Sequence, residues 1–372
     1  MKATHLGLLM GALAAWPYGV PVADAAETRS YVVNWFYEAN YNGGDADCPK
    51  GLNPSAIEFY RRDLRKLGLT GEKVEELLKD FPGEGGLTQP WIPYVMTRGN
   101  GKDNVYANPS TAADPGLRTI EGRYAYGFNL DGQESSEDFV EAVTHERGID
   151  NQAYRAMGCI RSMRAQPDMG PPGLSETQWD TLRTLMPAWV ISITAPHNFK
   201  TPGEVTITLT RALETVTRDP GGRNAQLHMT YQMDPDPRFM NVVKGILRDG
   251  VVTTSPVNVR MAADLYIMPE FRLNRAQLRL NMNADGSLAG IIGGYQPWYD
   301  IYFGIANRSY IKEYAASIDV PGLYYVLKRH ADGDPDPKTG DNTTISASYV
   351  LKALPAYVVP AELKSAQYEN AR

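Results

Sequence analysis

The sequence predicts an α+β, strand-rich fold built on an antiparallel β-sandwich of jelly-roll type or on a barrel. From Trp189 onward, short runs of alternating apolar and polar residues follow one another, separated by Pro, Gly and Asp turns. That density of short strands is typical of a sandwich or a barrel. Helical spacing of apolar residues occurs mainly in the N-terminal half and again near the C-terminus. We therefore expect peripheral helices around the sheet.

A hairpin between residues 270 and 298 is the strongest local signal. Two extended arms are joined by NADG at residues 283–286, a sequence that favours a tight turn. In the first arm the apolar residues change phase, which predicts a β-bulge near Arg275. The second arm contains glycines that would let another backbone or a ligand come close: Gly290, Gly293 and Gly294. We expect this hairpin in the core of the sheet.

The first 25 residues have the pattern of a secretory signal peptide. Lys2 is followed by an apolar run and then by Ala23-Asp24-Ala25, which places small residues at the positions that signal peptidase recognises. The apolar run is shorter than the roughly 20 residues that a membrane-spanning helix needs. We expect the segment 1–25 to be removed, and the mature chain to be a soluble periplasmic or secreted protein without a membrane span.

Three parts are expected after cleavage. Residues 26–187 should form an N-terminal part with one or two strands and about four helices packed on the sheet. Residues 188–360 should form the antiparallel β domain with two short helices, and residues 361–372 a loose polar tail. This division corresponds to one large β domain with a helical portion.

The elements of the N-terminal part follow from composition and spacing. β-Branched and aromatic residues predict strands, and apolar residues at helical spacing behind capping residues predict helices. The predicted strands are 31–41 and 121–130, and the predicted helices are 53–67, 70–81, 150–163 and 175–186. The Gly- and Pro-rich stretch 83–117 should be a long surface connection.

Alternation of apolar and polar residues is the main pattern in the rest of the chain. The predicted strands are 190–194, 205–211, 213–218, 225–233, 251–268 and a closing strand at 345–359. Pro355 should lie at an edge or a kink of that last strand. Two short helices, 309–318 and 323–330, are expected between the hairpin and the closing strand.

The two cysteines predict one disulfide bond. Cys48 and Cys159 are the only cysteines, and an even count in an exported chain is most simply a single bridge. They cannot form a four-ligand zinc site alone. The chain also has no motif for covalent haem, for a nucleotide or for zinc.

An acidic loop before the closing strand has the composition of a calcium site. Calcium takes six to eight oxygen ligands, which closely spaced carboxylates and backbone carbonyls can provide. The loop departs from the EF-hand pattern, because Pro337 stands where that pattern has Gly and Thr343 where it has Glu. The alternative is a solvated acidic turn stiffened by prolines. The predicted Ca²⁺ ligands are Asp332, Asp334, Asp336 and Asp341.

The aromatic residues suggest a binding platform. The chain has 22 Tyr against 9 Phe, and tyrosine offers a flat apolar face with a polar rim that suits sugar rings or a protein partner. The alternative is that these rings pack between the helices and the sheet. The candidates in or beside predicted loops are Tyr37, Tyr41, Trp91, Tyr94, Tyr295, Trp298 and Tyr299.

Two functions remain open at this point. The sequence contains no G-x-S-x-G, H-E-x-x-H or phosphate-binding loop, which favours a non-catalytic binding or accessory protein for a glycan, a small molecule or a protein partner. The alternative is a secreted hydrolase for polysaccharide or ester, using an Asp/Glu pair in an aromatic-lined cleft, because such a pair needs only to be close in space. Nucleic acid is not an expected partner, since the net charge is -6 and no basic cluster is present.

Overall fold

The computed structural model describes residues 26–81, 89–262, 270–306 and 310–360. The helices are α1 Ala56–Lys66, α2 Gly71–Leu78, α3 Ile92–Met96, α4 Gln152–Met157, α5 Gly173–Leu182, α6 Trp298–Ala306, α7 Tyr310–Ala316 and α8 Val320–His330. The strands are β1 Glu27–Glu38, β2 Tyr124–Ala125, β3 Phe139–Glu141, β4 Arg147–Ile149, β5 Pro187–Ala195, β6 Gly203–Thr215, β7 Thr230–Gln232, β8 Asn241–Arg248, β9 Val251–Thr254, β10 Val257–Ala262, β11 Glu270–Met282, β12 Leu288–Pro297, β13 Gly333–Pro335, β14 Asn342–Pro355 and β15 Tyr357–Val359.

Eight antiparallel strands close into a barrel. Around the ring the order is β1, β5, β6, β8, β9, β11, β12 and β14, and β14 pairs back with β1. Neighbours in the ring therefore follow one another along the chain, and the helices are inserted in the connections between them. The expected α+β, strand-rich architecture is confirmed, in the form of its barrel alternative.

Three predicted regions lie outside the described residues. They are the signal segment 1–25, the tail 361–372 and the end of the predicted strand 251–268. Within the described ranges, no helix is long and apolar enough to cross a membrane.

The predicted hairpin is the pair β11 and β12. The register shifts between Asn274 and Gln277, and Arg275 has a φ of 50°, so the β-bulge is where the phase change predicts it. A Cβ atom added to Gly290 would lie 2.0 Å from the backbone oxygen of Arg279. One added to Gly293 would lie 2.6 Å from the ring of Phe128. Glycine is needed in β12 because another strand and a side chain come this close.

A cluster of aromatic rings fills one end of the barrel. The ring centroid of Phe36 lies 5.0 Å from that of Trp189, 5.1 Å from Phe271 and 5.0 Å from Tyr349. Phe36 is close to the end of β1, whereas Trp189 and Phe271 are close to the starts of β5 and β11. Helix α5 contacts β1 here, and α6 contacts β12 and β14. We call this region the helical end of the barrel.

A second cluster joins α1, α2 and α3 to α7 around a buried ion pair. The carboxylate of Glu313 is fully buried and accepts hydrogen bonds from the hydroxyls of Tyr60, at 2.8 Å, and Tyr106. Arg98, also buried, donates to the same carboxylate. The charge of Glu313 is therefore compensated, as a buried carboxylate requires.

The predicted disulfide is confirmed. The Cα atoms of Cys48 and Cys159 lie 5.9 Å apart, within the range that a bridge can span. Cys48 precedes α1 and Cys159 follows α4, so the bond ties the start of the helical portion to its last turns before α5.

Several predicted boundaries differ from the structure. Helix α1 is capped by Ser55 and Glu58, whereas Asn53 bonds to the backbone of Arg118 instead. The predicted strand 121–130 contains only the short β2, and the predicted strands 205–211 and 213–218 fall largely within the single strand β6. Strand β8 and helix α6 were not expected, although β8 alternates strictly between buried and exposed residues.

Candidate functional site

A cavity of about 130 Å³ lies at the helical end of the barrel. The aromatic cluster and aliphatic side chains of α5 and α6, among them Leu182 and Ile305, line this cavity. We call it the barrel-end cavity. Its aromatic lining consists of Phe36, Tyr37, Trp179, Trp189, Phe271 and Tyr349.

Strand periodicity brings a carboxylate into this apolar wall. Glu38 follows Phe36 by two positions, so both side chains lie on the same face of β1. Across the ladder to β14, the Cα of Glu38 stands opposite that of Tyr349. Glu38 is partly buried, and it lines the cavity together with the rings.

The polar groups of the barrel-end cavity bond to one another. The hydroxyl of Ser175, near the start of α5, donates to the carboxylate of Glu38. The hydroxyl of Tyr349 donates to the side-chain oxygen of Gln296. Burial raises the pKa of Glu38, and the hydrogen bond from Ser175 only partly opposes it. Among the described residues that line the cavity there is no Lys, Arg or His to compensate this carboxylate.

A second cavity, of about 370 Å³, is rich in carboxylates, and we call it the acidic cavity. Asp150, which follows β4, accepts hydrogen bonds from the backbone N–H groups of Leu130, at 2.7 Å, and Asp131, at 3.3 Å. Asp332, between α8 and β13, accepts one from the N–H of Ser346 at 2.7 Å. Both carboxylates are thus held by backbone amides from other segments of the chain.

Burial and neighbouring negative charges shift the pKa values of the titratable groups in the acidic cavity. Burial above all, and then neighbouring carboxylates, raise the pKa of Asp150 to about 7. Asp332 is exposed at its surface, but desolvation by the surrounding chain still raises its pKa to about 6, against the hydrogen bonds from Ser346. Burial lowers the pKa of His330 to about 4, so this imidazole is neutral at pH 7. Two carboxyl groups that titrate near neutrality are suited to general acid and general base roles.

The predicted calcium ligands each have a partner within the protein. These partners are the backbone of Ser346 for Asp332, Arg275 for Asp334, the backbone of Lys338 for Asp336 and Lys328 for Asp341. The Arg275 pair is 2.7 Å long, between Nη1 and Oδ1. In the part of the chain that the structure describes, no three His, Cys, Asp or Glu side chains are grouped so as to hold a metal ion. Calcium binding stays a prediction.

The predicted aromatic platform is distributed over several places. Tyr37 and Tyr41 lie at and just after the end of β1, Trp91 and Tyr94 at α3, Tyr295 on β12, and Trp298 and Tyr299 on α6. Trp91 is buried in the cluster around α1 to α3, whereas Tyr94 and Tyr299 are exposed. Tyr37 lines the barrel-end cavity and Tyr295 the acidic cavity. Ligand binding by these residues as one set stays a prediction.

Tyr37 and Tyr295 were predicted as binding residues, but several other residues of the two cavities were missed or given another role in the sequence analysis. Ser175 was expected as a helix cap, but α5 begins at Gly173 and its hydroxyl bonds to Glu38. Asp150 was also expected as a cap, a role that Asn151 has instead. One signal was available for Glu38: it is a charged residue in phase with Phe36 at the end of a strand rich in aromatic residues.

Comparison with protein-family models, with curated proteins and with solved structures finds no match for this chain. The function therefore has to be argued from the two cavities.

Proposed function

We propose that the protein is an exported binding protein whose barrel-end cavity holds a small, mostly apolar molecule. The observation that supports this is a cavity walled by aromatic and aliphatic side chains, with a few polar groups placed among them. Such a lining is typical of small-molecule sites. An eight-stranded barrel is also just wide enough to be filled by side chains or to hold one small ligand.

The size of the cavity favours a small molecule among the three kinds of partner that the sequence suggests. A cavity of about 130 Å³ is comparable to engineered apolar cavities that bind benzene. A glycan chain or a protein partner would instead need an extended open surface. A single ring with a short substituent is the ligand class that we propose.

Binding can be tested on the mature chain with small aromatic probes such as toluene and indole. A ligand at a hundredfold excess over its Kd should stabilise the native state by about 2.7 kcal/mol, which a thermal-shift assay detects. Ile305→Trp on α6 should fill the cavity and abolish the shift. Tyr299→Trp on the same helix adds a similar bulk at an exposed position and should leave it intact. Absence of any shift with a panel of such probes would contradict the proposal.

A second candidate function is hydrolysis in the acidic cavity. It is favoured by Asp150 and Asp332, which line one cavity and have pKa values of about 7 and about 6. Near pH 6.5 one group can donate a proton while the other accepts one, as glycosidases require of a carboxyl pair. Chromogenic glycosides and esters should then be cleaved with a bell-shaped pH profile, and Asp150→Asn should abolish turnover. Identical residual rates in wild type and variant would exclude this function.

We also propose that the chain is exported and processed after Ala25. The disulfide supports this, because such bonds persist in oxidising compartments. N-terminal sequencing of exported material should begin at Ala26, and an intact Met1 would contradict it.

Calcium remains the proposed cofactor of the acidic loop. A cation there would have to replace the pairs that Arg275 and Lys328 make with the loop carboxylates. Millimolar calcium should raise the melting temperature above that in chelator. Identical melting curves would exclude a site of useful affinity.

A further inference from the structure

We propose that the barrel-end cavity selects a protonated amine, whose ammonium group pairs with Glu38 while its ring or short alkyl body packs against the aromatic wall. This inference rests on the proposed function, because it names the class of molecule that the same cavity would take. The observation that supports it is the position of the Glu38 carboxylate among the groups that line the cavity.

Glu38 forms no ion pair with a basic side chain in the part of the chain that the structure describes. Several buried acids of the molecule have one, as Glu313 has Arg98 and Glu141 has Arg279. The lining residues that the structure describes include no basic side chain, and the donors to Glu38, the hydroxyl of Ser175 and the backbone N–H of Glu38 itself, are neutral. A carboxylate in such surroundings is costly to ionise unless a cation joins it. A positively charged ligand would supply the counter-charge to Glu38 that the described lining does not provide.

The hydroxyl and indole donors beside Glu38 already have acceptors. The hydroxyl hydrogens of Ser175 and Tyr349 go to Glu38 and Gln296. The indole N–H of Trp179 donates to the backbone oxygen of Asn34 at 2.9 Å. The carboxylate of Glu38 is consequently the charged group of the described lining, and it can accept a hydrogen bond from a ligand. An anionic ligand would meet repulsion from Glu38.

The aromatic rings that line the barrel-end cavity also favour binding of a cation. Ring faces attract an ammonium group through their quadrupole, by roughly 0.5–2 kcal/mol or more depending on desolvation. Phe36, Trp189, Phe271 and Tyr349 form one contiguous cluster beside Glu38. A carboxylate next to several rings provides both the charge and the apolar surface that an aromatic or alkyl amine needs.

The test compares benzylamine with benzyl alcohol, two molecules of the same shape that differ in charge. Calorimetry on the mature chain at pH 8 should give at least about tenfold tighter binding of the amine, since a hydrogen bond to a charged group contributes about 1.5–3 kcal/mol. Glu38→Gln should remove this preference and leave the alcohol nearly unchanged. Glu176→Gln, the same change on α5 at a position that does not line the cavity, should behave as wild type.

The outcomes separate this inference from the proposed function. If neither molecule binds, the proposed function fails and this inference fails with it. If both bind equally, or if Glu38→Gln keeps the preference for the amine, the cavity binds small molecules but does not select amines.

A pH titration of the wild type replaces the variant if Glu38→Gln does not fold. Protonation of Glu38 removes the counter-charge, so amine affinity should fall at least about tenfold as the pH drops below the raised pKa of that group. Benzyl alcohol affinity should stay constant. The other titratable side chains in the described lining are the phenols of Tyr37 and Tyr349, and burial raises the pKa of Tyr349 well above its usual range. An amine affinity that does not change with pH would overturn the inference.

Discussion

Replacing Asp150 with Asn should make the protein more stable at high pH and should remove part of its pH dependence. The carboxylate of Asp150 is almost completely buried and is held by the backbone N–H groups of Leu130 and Asp131. An Asn side chain has nearly the same shape, and its oxygen can accept the same hydrogen bonds. The substitution therefore removes the ionisation while preserving the local contacts.

The magnitude follows from the pKa of Asp150, which rises from 3.8 to about 7. A folded-state pKa above the unfolded one means that the native state keeps a proton that the unfolded chain has released. Stability is then lost as the pH rises from about 4 through 7, by about 4 kcal/mol in total, of which about 3 kcal/mol falls between pH 4.5 and pH 8. The charges that face Asp150 and contribute to this rise are those of Asp131, Asp138 and Asp332.

Equilibrium urea unfolding at pH 4.5 and pH 8 measures this difference. The free energy of unfolding of Asp150→Asn, taken relative to wild type, should increase by about 3 kcal/mol between the two pH values. Asp45→Asn removes an exposed carboxylate and should show no comparable change. A difference between Asp150→Asn and wild type that is the same at both pH values would refute the reasoning.

Three further substitutions or treatments test the framework of the fold. Gly290→Ala should destabilise by about 1–3 kcal/mol or more, because its Cβ would lie 2.0 Å from a backbone oxygen of β11, whereas Gly203→Ala, with open space around it, should be nearly neutral in thermal melting. Reduction of the Cys48–Cys159 bond, which closes a segment of 111 residues, should lower the free energy of unfolding by up to about 4–5 kcal/mol, and superimposable urea curves would contradict this. Glu313→Gln should cost about 3–5 kcal/mol, since it removes the nearest counter-charge of the buried Arg98 and leaves only Asp63 at 3.6 Å and Asp319 at 4.0 Å, and a shift below 1 kcal/mol in urea unfolding would be inconsistent with a paired buried charge.

Local signals in the sequence predicted part of this structure. The turn at residues 283–286 and the bulge at Arg275 depend on neighbours within a few positions, and both were predicted correctly. The disulfide followed from counting cysteines. Helix α6 was missed because its sequence, WYDIYFGIA, is aromatic and contains Gly, a composition that does not resemble a good helix former.

The cavities could not be predicted because their residues meet only through tertiary contacts, such as those of α5 with β1 and of α4 with α8. Ser175 and Glu38 are 137 positions apart, and the acidic cavity joins Asp150 and Asp332, which are also distant in the sequence. Each residue has an ordinary local explanation, such as a helix cap or a turn. Only the pairing of β14 with β1, which closes the ring, brings the last long strand beside the first one.

The fold places the carboxyl groups of Asp150 and Glu38 in different electrostatic surroundings. Asp150 lies among other carboxylates, so a proton is the cation that most readily reduces the repulsion, and its titration responds to pH. Glu38 lies among rings with no other charged group in the described lining, so a bound cation would be neutralised by Glu38 alone. A ligand of the barrel-end cavity should therefore change the pKa of Glu38 and leave that of Asp150 as it is. Stability measured with and without benzylamine in wild type and Asp150→Asn should give additive effects, because residues without shared partners couple weakly.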